Sequence, residues 1–168
     1  LDESSFSVTQ RIGLPGGPHE LLNLPDGRVL VSIEQRGLLV AVDLDDGAIE
    51  VIDVGGIPHG LALAGDVVFV TDREIDAIRR FTVGDWDELA AIPTGRWPHA
   101  VRVTSTGEIA AATAASGRLE TGVRSVVVGE TTETLDMRAD GMIAVAAATD
   151  GVVAVYDDAL TLERRWDI

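Results

Sequence analysis

The sequence predicts an all-β protein with the β-propeller fold, built from four similar units of about 40 residues. Every histidine follows a proline, and the pairs Pro18-His19, Pro58-His59 and Pro98-His99 recur at a spacing of 40 residues. Each pair precedes two short apolar segments separated by a glycine-containing turn, which is the pattern of a β-hairpin. No stretch keeps a helical period over three turns. Four short strands in each repeat of this length are typical of a propeller blade.

The first two strands of each unit are placed by the turn between them. Glycine supplies the positive φ that tight hairpin turns require, and Gly27, Gly65, Gly107 and Gly141 mark the four turns. The predicted strand pairs, in chain order, are Leu21–Leu24 with Val29–Ile33, Leu61–Leu63 with Val67–Asp72, Val101–Val103 with Ile109–Thr113, and Leu135–Met137 with Met142–Ala147.

The third and fourth strands follow in the same way. They are predicted at Leu38–Leu44 and Ile49–Val54, Ala77–Val83 and Glu88–Ile92, Arg118–Glu120 and Ser125–Val128, and Val152–Tyr156 and Leu162–Ile168. The predicted blades therefore span residues 15–54, 55–94, 95–129 and 130–168, and residues 1–14 form the outer strand of a preceding blade, centred on Ser7–Leu14.

The strand count bears on how the ring closes. The sequence predicts four inner strands and five outer strands, whereas a ring closed by one chain needs equal numbers of the two. We therefore expect half or a fragment of a larger ring, either an open segment of a longer propeller or a homodimer that completes the ring. A closed four-blade ring with one loose strand is the alternative. Open blades expose edges and faces that should find a partner.

Composition excludes several classes of function. The net charge is −15, from 28 acidic residues and 13 basic ones, all of them arginine. Because nucleic-acid binding needs a basic surface, no nucleic-acid partner is expected. The chain has no cysteine, which removes disulfides and thiolate chemistry. No apolar run approaches the ~20 residues of a membrane span, so we expect a soluble protein, cytoplasmic or exported with its signal removed, without membrane insertion.

The three histidines are the main candidates for chemistry. Counting back eight residues from Gly141, as the first and third copies do from their turn glycines, places Glu133 at the fourth histidine position. Equivalent positions of successive blades lie along an arc around the central channel. His19, His59, His99 and Glu133 could therefore bind a divalent transition metal such as zinc. The alternative is structural: proline fixes the start of the strand, and histidine bonds the neighbouring backbone.

Three further side chains are candidate ligand contacts near the channel mouth. Trp97 could stack on a ligand ring or pack between blades, and Arg96 and Arg102 could hold an anionic group near His99 or form ion pairs. Asp72 follows a second strand and aligns roughly with Glu34 and Asp150, which favours a structural role.

Two segments carry a resemblance to a known group of repeats. Gly55–Leu61 reads Gly-Gly-Ile-Pro-His-Gly-Leu, and Val68–Asp72 reads Val-Phe-Val-Thr-Asp. They resemble YVTN-type repeats and are similar to NHL-type and virginiamycin B lyase-like repeats, from about Gly13 to Ile168. The resemblance implies a β-propeller whose relatives include binding scaffolds, lactone hydrolases and metal-dependent lyases. No complete catalytic set of any such family is visible, so the catalytic residues are unknown.

Two classes of function follow from these observations. The first is a propeller module that binds a protein or a small ligand at the channel face. The second is a metal-dependent enzyme, a lyase or lactone hydrolase, with a histidine-lined channel site. The first is preferred because no general base or nucleophile can be named.

Overall fold

The structure is a computed structural model that describes residues 7–103, 107–138 and 140–168. Parts of two predicted turns, Thr104–Thr106 and Ala139, lie outside the described residues, as do residues 1–6 of the predicted first outer strand. The described chain forms four antiparallel sheets of four strands each. Its only helices are two single 3-10 turns, Glu34–Arg36 and Ala114–Ser116, so none of them has the length or apolar character to span a membrane.

Each sheet is one blade whose strands are adjacent in the order of the chain. Blade 1 contains β1 (Leu21–Asn23), β2 (Val29–Ile33), β3 (Leu38–Val42) and β4 (Ile49–Asp53). Blade 2 contains β5 (Pro58–Ala64), β6 (Val67–Asp72), β7 (Ala77–Thr82) and β8 (Glu88–Pro93). Blade 3 contains β9 (Pro98–Val103), β10 (Ile109–Thr113), β11 (Arg118–Thr121) and β12 (Ser125–Val127). Blade 4 contains β13 (Thr132–Met137), β14 (Ile143–Ala147), β15 (Val152–Tyr156) and β16 (Leu162–Asp167).

The amino-acid pattern explains which strands lie inside each blade. The second strand of blade 1 is apolar at four of its five positions and is buried at all five, because both faces of that blade are covered. The outer strand β4 is largely exposed. A strand covered on both faces is apolar throughout, whereas a strand facing solvent tolerates charge.

The core lies between the blades, and each interface combines residues from two neighbours. Leu30, Leu39 and Ala41 of blade 1 pack with Leu61, Val68, Val70 and Phe81 of blade 2. Ala62, Phe69 and Ile78 of blade 2 pack with Val101 and Ala111 of blade 3. Ala110, Ala112 and Leu119 of blade 3 pack with Leu135, Ile143 and Val145 of blade 4. Burial of these apolar faces is what stacks the blades.

The four blades form an open arc. The inner strands are neighbours in the order β1, β5, β9 and β13. Within the described residues, no strand of blade 4 packs against a strand of blade 1 as these neighbours do. The chain is therefore a partial propeller, as the strand count predicted.

The segment before blade 1 differs from its prediction. Ser7 makes an isolated bridge, and residues 8–14 are not in a strand. Ile12 and Leu14 instead pack on the outer face of blade 1, against Val29, Val31 and Ile33. This irregular segment covers an apolar face with two side chains, which does not require ladder hydrogen bonds.

Asp72 has a structural role, as the sequence favoured, but its counterpart in blade 1 is not Glu34. Its Oδ1 accepts hydrogen bonds from the backbone N–H groups of Ile57 and Glu74, each at 3.0 Å. The carboxylate lies directly over Gly56, as the side chain of Ile33 lies over Gly16. The counterpart of Asp72 in blade 1 is therefore Ile33, and Glu34 occupies the next position.

Candidate functional site

Three repeats bring their histidines together at the end of the channel where the inner strands begin. The imidazole rings of His19 and His59 lie 3.6 Å apart between centroids, and those of His59 and His99 lie 3.9 Å apart. The His19 and His99 rings are 6.2 Å apart, so the three rings follow an arc. A cavity of about 240 Å³ opens beside them, lined by His19, Glu20, His59, His99, Ala100, Arg102, Glu133 and Thr134.

A repeated hydrogen-bond pattern fixes the backbone of this arc. Ser32 Oγ donates to the carbonyl oxygen of His59 at 2.7 Å and accepts from the Glu20 N–H at 3.1 Å. Thr71 Oγ1 likewise donates to the carbonyl oxygen of His99 at 3.2 Å and accepts from the Gly60 N–H at 2.6 Å. In blades 1 and 2, a hydroxyl on the second strand therefore ties the inner strand of its own blade to that of the next blade.

His59 is held in one tautomer and in its neutral form. It is 2% exposed, and its Nδ1 lies 2.9 Å from the carbonyl oxygen of His99. Since a carbonyl oxygen only accepts, Nδ1 carries the proton and Nε2 keeps its lone pair. Burial first, then the positive charges that His99 and His19 would carry, lowers the pKa of His59 to about 3. The ring therefore stays neutral, which is the form that binds metals.

His99 follows the same trend. Burial, and next the charge of the Arg73 guanidinium, lowers the pKa of His99, while the carboxylate of Glu133 acts in the opposite direction. The pKa values of His59 and His99 are thus both lowered, which favours the neutral form of these two rings.

Glu34 is a site residue that sequence reasoning did not assign to the channel. Its carboxylate and the ring nitrogens of His19 and His59 offer three ligand atoms within 4.8 Å of one another. Among the residues that the structure describes, this is the one such group of three, and His99 and Glu133 stand outside it. Glu34 immediately follows the second strand of blade 1, and this position could have indicated from the sequence that it lies at the channel end.

The geometry of this group is close to that of a metal site. Ligand atoms at about 2.1 Å from one ion are separated by at most about 4.2 Å, so a small contraction would be sufficient. The donor set of two imidazoles and a carboxylate suits zinc and similar divalent ions.

Glu34 also has a cationic partner on the next blade. Arg73 Nη1 lies 2.7 Å from Glu34 Oε1. The Arg73 guanidinium carbon lies 4.6 Å from the centroid of the Trp97 ring, within the range of a cation–π contact. Trp97, which is 49% exposed, is therefore linked to Glu34 through Arg73, and it is not among the residues that line the cavity.

Arg102 is one of the residues that line the cavity. Its Nη1 lies 3.1 Å from Glu20 Oε1 of blade 1, and its Nε lies 3.6 Å from Asp136 Oδ1 of blade 4. The same Nη1 atom approaches the carbonyl oxygens of Val101 and Leu61. Arg102 thus lies in the cavity and links the blades through ion pairs. Arg96 is exposed and is not among the residues that line the cavity.

Comparisons with known proteins address the fold. No protein-family model matches the chain, and no curated protein gives a significant match. Among solved structures, virginiamycin B lyase from Staphylococcus aureus superposes with a TM-score of 0.80 at 14% identity, over 94% of this chain and 58% of the lyase. Hydrazine synthase of Kuenenia stuttgartiensis superposes with a TM-score of 0.79 at 18% identity, over 97% of this chain and 52% of that chain.

The chain is a partial β-propeller. Solved structures of virginiamycin B lyase, one of the groups whose repeats this sequence resembles, share this fold. A streptogramin B lyase structure gives the same TM-score of 0.80 at 13% identity, over 94% of this chain and 57% of the other. The propeller described here thus spans somewhat more than half the length of these lyases, and at such identities the similarity establishes the fold alone.

Proposed function

We propose that this propeller is a binding module that takes a small ligand at the histidine end of its channel. The observation that carries the proposal is the group formed by His19, Glu34 and His59, whose ligand atoms lie within 4.8 Å beside an open cavity. Pockets of this kind combine a concave surface with a few convergent polar groups.

The chemistry of the lining favours a ligand held through a divalent cation. His59 offers a neutral Nε2, and Glu34 offers a carboxylate. The predicted ligands His99 and Glu133 line the same cavity and would contact a ligand or complete the coordination of the metal ion. Arg102, which lines this cavity, would hold an anionic group of the ligand. Trp97, next to Arg73, would stack on a ring of the ligand.

A metal-dependent enzyme, a lyase or lactone hydrolase, is the second candidate. It is supported by the same group of ligand atoms and by the lyases among the structural neighbours. A metal there would polarise a carbonyl or lower the pKa of bound water. The binding role is preferred because it needs only the ligand atoms and the cavity, whereas an enzyme would also need one of the lining histidines or glutamates to act as a general base toward a defined substrate.

Zinc binding tests the site directly. We expect about one zinc ion per chain in protein purified without chelators, and we expect zinc affinity to fall by at least about tenfold in His19→Ala and Glu34→Gln, since each removes one of three ligands. His19 is exposed, so its truncation should leave the fold intact. The measurements are elemental analysis and calorimetric titration.

The matched control for this experiment is Glu163→Gln, on the exposed outer strand β16 of blade 4. It should bind zinc like the wild type. Absence of zinc from the wild type, with no gain in thermal stability on adding the ion, would leave the histidines with their structural role and remove the cation from the proposal.

The predicted homodimer concerns a different surface. The outward face of blade 4 carries Ala144, Ala146, Val153 and Val155, whereas corresponding faces of blades 1 to 3 are covered by the next blade. We propose that a blade of a second copy covers this face, and we expect a molar mass in light scattering of twice 17.7 kDa.

Val153→Glu should give the single-chain mass, because it places a charge in the apolar contact. Val51→Glu, a matched change at a half-exposed position of the outer strand β4, should not. A wild-type mass of 17.7 kDa at every concentration would contradict the dimer.

A further inference from the structure

We propose that Arg73 is a built-in cation that competes with a metal ion for Glu34, and that Trp97 holds it in that position. The inference rests on the proposed cation site and concerns how that site is regulated. It assigns a role to Arg73, which is not one of the three residues that offer ligand atoms.

The competition follows from the position of the Glu34 carboxylate. Arg73 Nη1 lies 2.7 Å from its Oε1, and the two side chains are 17% and 28% exposed, respectively. The same carboxylate supplies the only negative charge in the group it forms with His19 and His59. A divalent ion bound there would need this charge and would be repelled by a guanidinium a few ångströms away. Metal binding must therefore weaken or break the Glu34–Arg73 pair.

The repeat explains why the pair forms. Glu34 and Arg73 follow Ile33 and Asp72, which occupy equivalent places over Gly16 and Gly56. They are thus the same position in consecutive blades, with opposite charges. Equivalent positions lie side by side along the arc, so the pair joins blade 1 to blade 2 at the channel end.

Trp97 restrains Arg73 from the third blade. Its backbone has φ +56°, a left-handed conformation that is unfavourable for a bulky residue before proline. Two hydrogen bonds hold it: Trp97 N–H donates to Asp76 Oδ1 at 2.9 Å, and Ala114 N–H donates to the Trp97 carbonyl oxygen at 2.8 Å.

This conformation is specific to blade 3. Ile57, which stands before Pro58 in blade 2, does not have a positive φ. The Trp97 ring remains 49% exposed, yet one of its faces lies against the guanidinium of Arg73. Because half of the Trp97 side chain is exposed, burial offsets little of the cost of its left-handed backbone. We therefore attribute the position of the ring to its cation–π contact with Arg73.

Calorimetric titration with zinc tests the inference. Arg73→Met removes the charge while keeping much of the side-chain volume, and we expect it to bind zinc about tenfold more tightly than the wild type, within the range of typical coupling between sites. Trp97→Ala should give a smaller gain in the same direction. Arg73→Lys keeps the charge and should stay within about threefold of the wild type.

Two comparisons separate this effect from a general change in charge or fold. Arg80→Met removes an arginine from strand β7 of the same blade and should leave zinc affinity unchanged. The Arg80 guanidinium donates to the Ala90 carbonyl oxygen on the outer strand β8. In a Glu34→Gln background, Arg73→Met should no longer tighten zinc binding, because Arg73 acts through Glu34. Circular dichroism verifies that each variant is folded.

The outcomes distinguish the two proposals. If the wild type binds zinc and Arg73→Met binds it equally or more weakly, the role of Arg73 is overturned while the cation site stands. A gain that persists without Glu34 also overturns it. If neither protein binds zinc, the cation site fails and the inference fails with it.

Discussion

Gly60→Ala is expected to lower the free energy of unfolding by about 3 kcal/mol, a large effect for the addition of one methyl group. Gly60 lies on the inner strand β5, where blade 2 meets blade 3. A Cβ atom there would be closer than 3.0 Å to the carbonyl oxygen of His99 and 3.1 Å from the Cα atom of Ala100. Both neighbours are backbone atoms of the next blade, so they can move only if the blades separate.

The same change would weaken a hydrogen bond that crosses this interface. The new methyl group would lie 3.1 Å from Thr71 Oγ1, which accepts from the Gly60 N–H and donates to His99. Chemical denaturation followed by circular dichroism measures the loss.

Gly122→Ala serves as the control for Gly60→Ala. A Cβ atom at Gly122 would have no neighbour within 4 Å, so this variant should lie within about 0.5 kcal/mol of the wild type. If Gly60→Ala were as stable as Gly122→Ala, the tight contact between the inner strands of blades 2 and 3 would be disproved.

Acidification from pH 7 to pH 5 is expected to reduce the free energy of unfolding by about 2 kcal/mol through His59 alone. The pKa of this buried ring is lowered from 6.5 to about 3 in the folded chain. His59 is therefore protonated below about pH 6.5 in the unfolded chain but only below about pH 3 in the folded chain. Stability from the neutral ring is complete above the unfolded pKa and is lost progressively as the pH falls toward the folded pKa.

The His59→Gln variant isolates this term. Glutamine can still donate to the His99 carbonyl oxygen but does not titrate, so its loss of stability between pH 7 and pH 5 should be smaller by about 2 kcal/mol. Acidification also protonates acidic groups and so reduces the repulsion among them, which is considerable at a net charge of −15. Both proteins share this effect, so it cancels when their pH dependences are compared. Both proteins are measured with chelator present. Equal pH dependence in the two would show that His59 titrates freely.

Most of the fold could be predicted from the sequence because each blade is specified locally. The period of the Pro-His pairs and the turn glycines such as Gly27 place the strands, and most strand ends lie within one or two residues of the prediction. The predicted third strand of blade 3, Arg118–Glu120, is present as Arg118–Thr121. By contrast, Ser7–Leu14 has apolar residues that suit a strand, yet residues 8–14 are not in one.

The candidate site was predictable in part. The repeat indicated that His19, His59 and His99 share the channel end, since equivalent positions of successive blades are neighbours. Glu34 and Arg73 were not assigned to it, because alignment by strand ends placed Glu34 opposite Asp72. Only the positions of Ile33 over Gly16 and of Asp72 over Gly56 show the correct correspondence.

The sequence by itself determined the repeat, the strands, the acidic character and the shared position of the three histidines, because these depend on local pattern and composition. The tertiary structure decided which of those residues touch. Three contacts depend on how far each blade is shifted and rotated against the next: the close approach of the tilted imidazole rings, the hydrogen bond that fixes the proton on His59 Nδ1, and the position of Arg73 between Glu34 and Trp97. That placement is set by packing between blades, which involves residues about 40 positions apart in the chain.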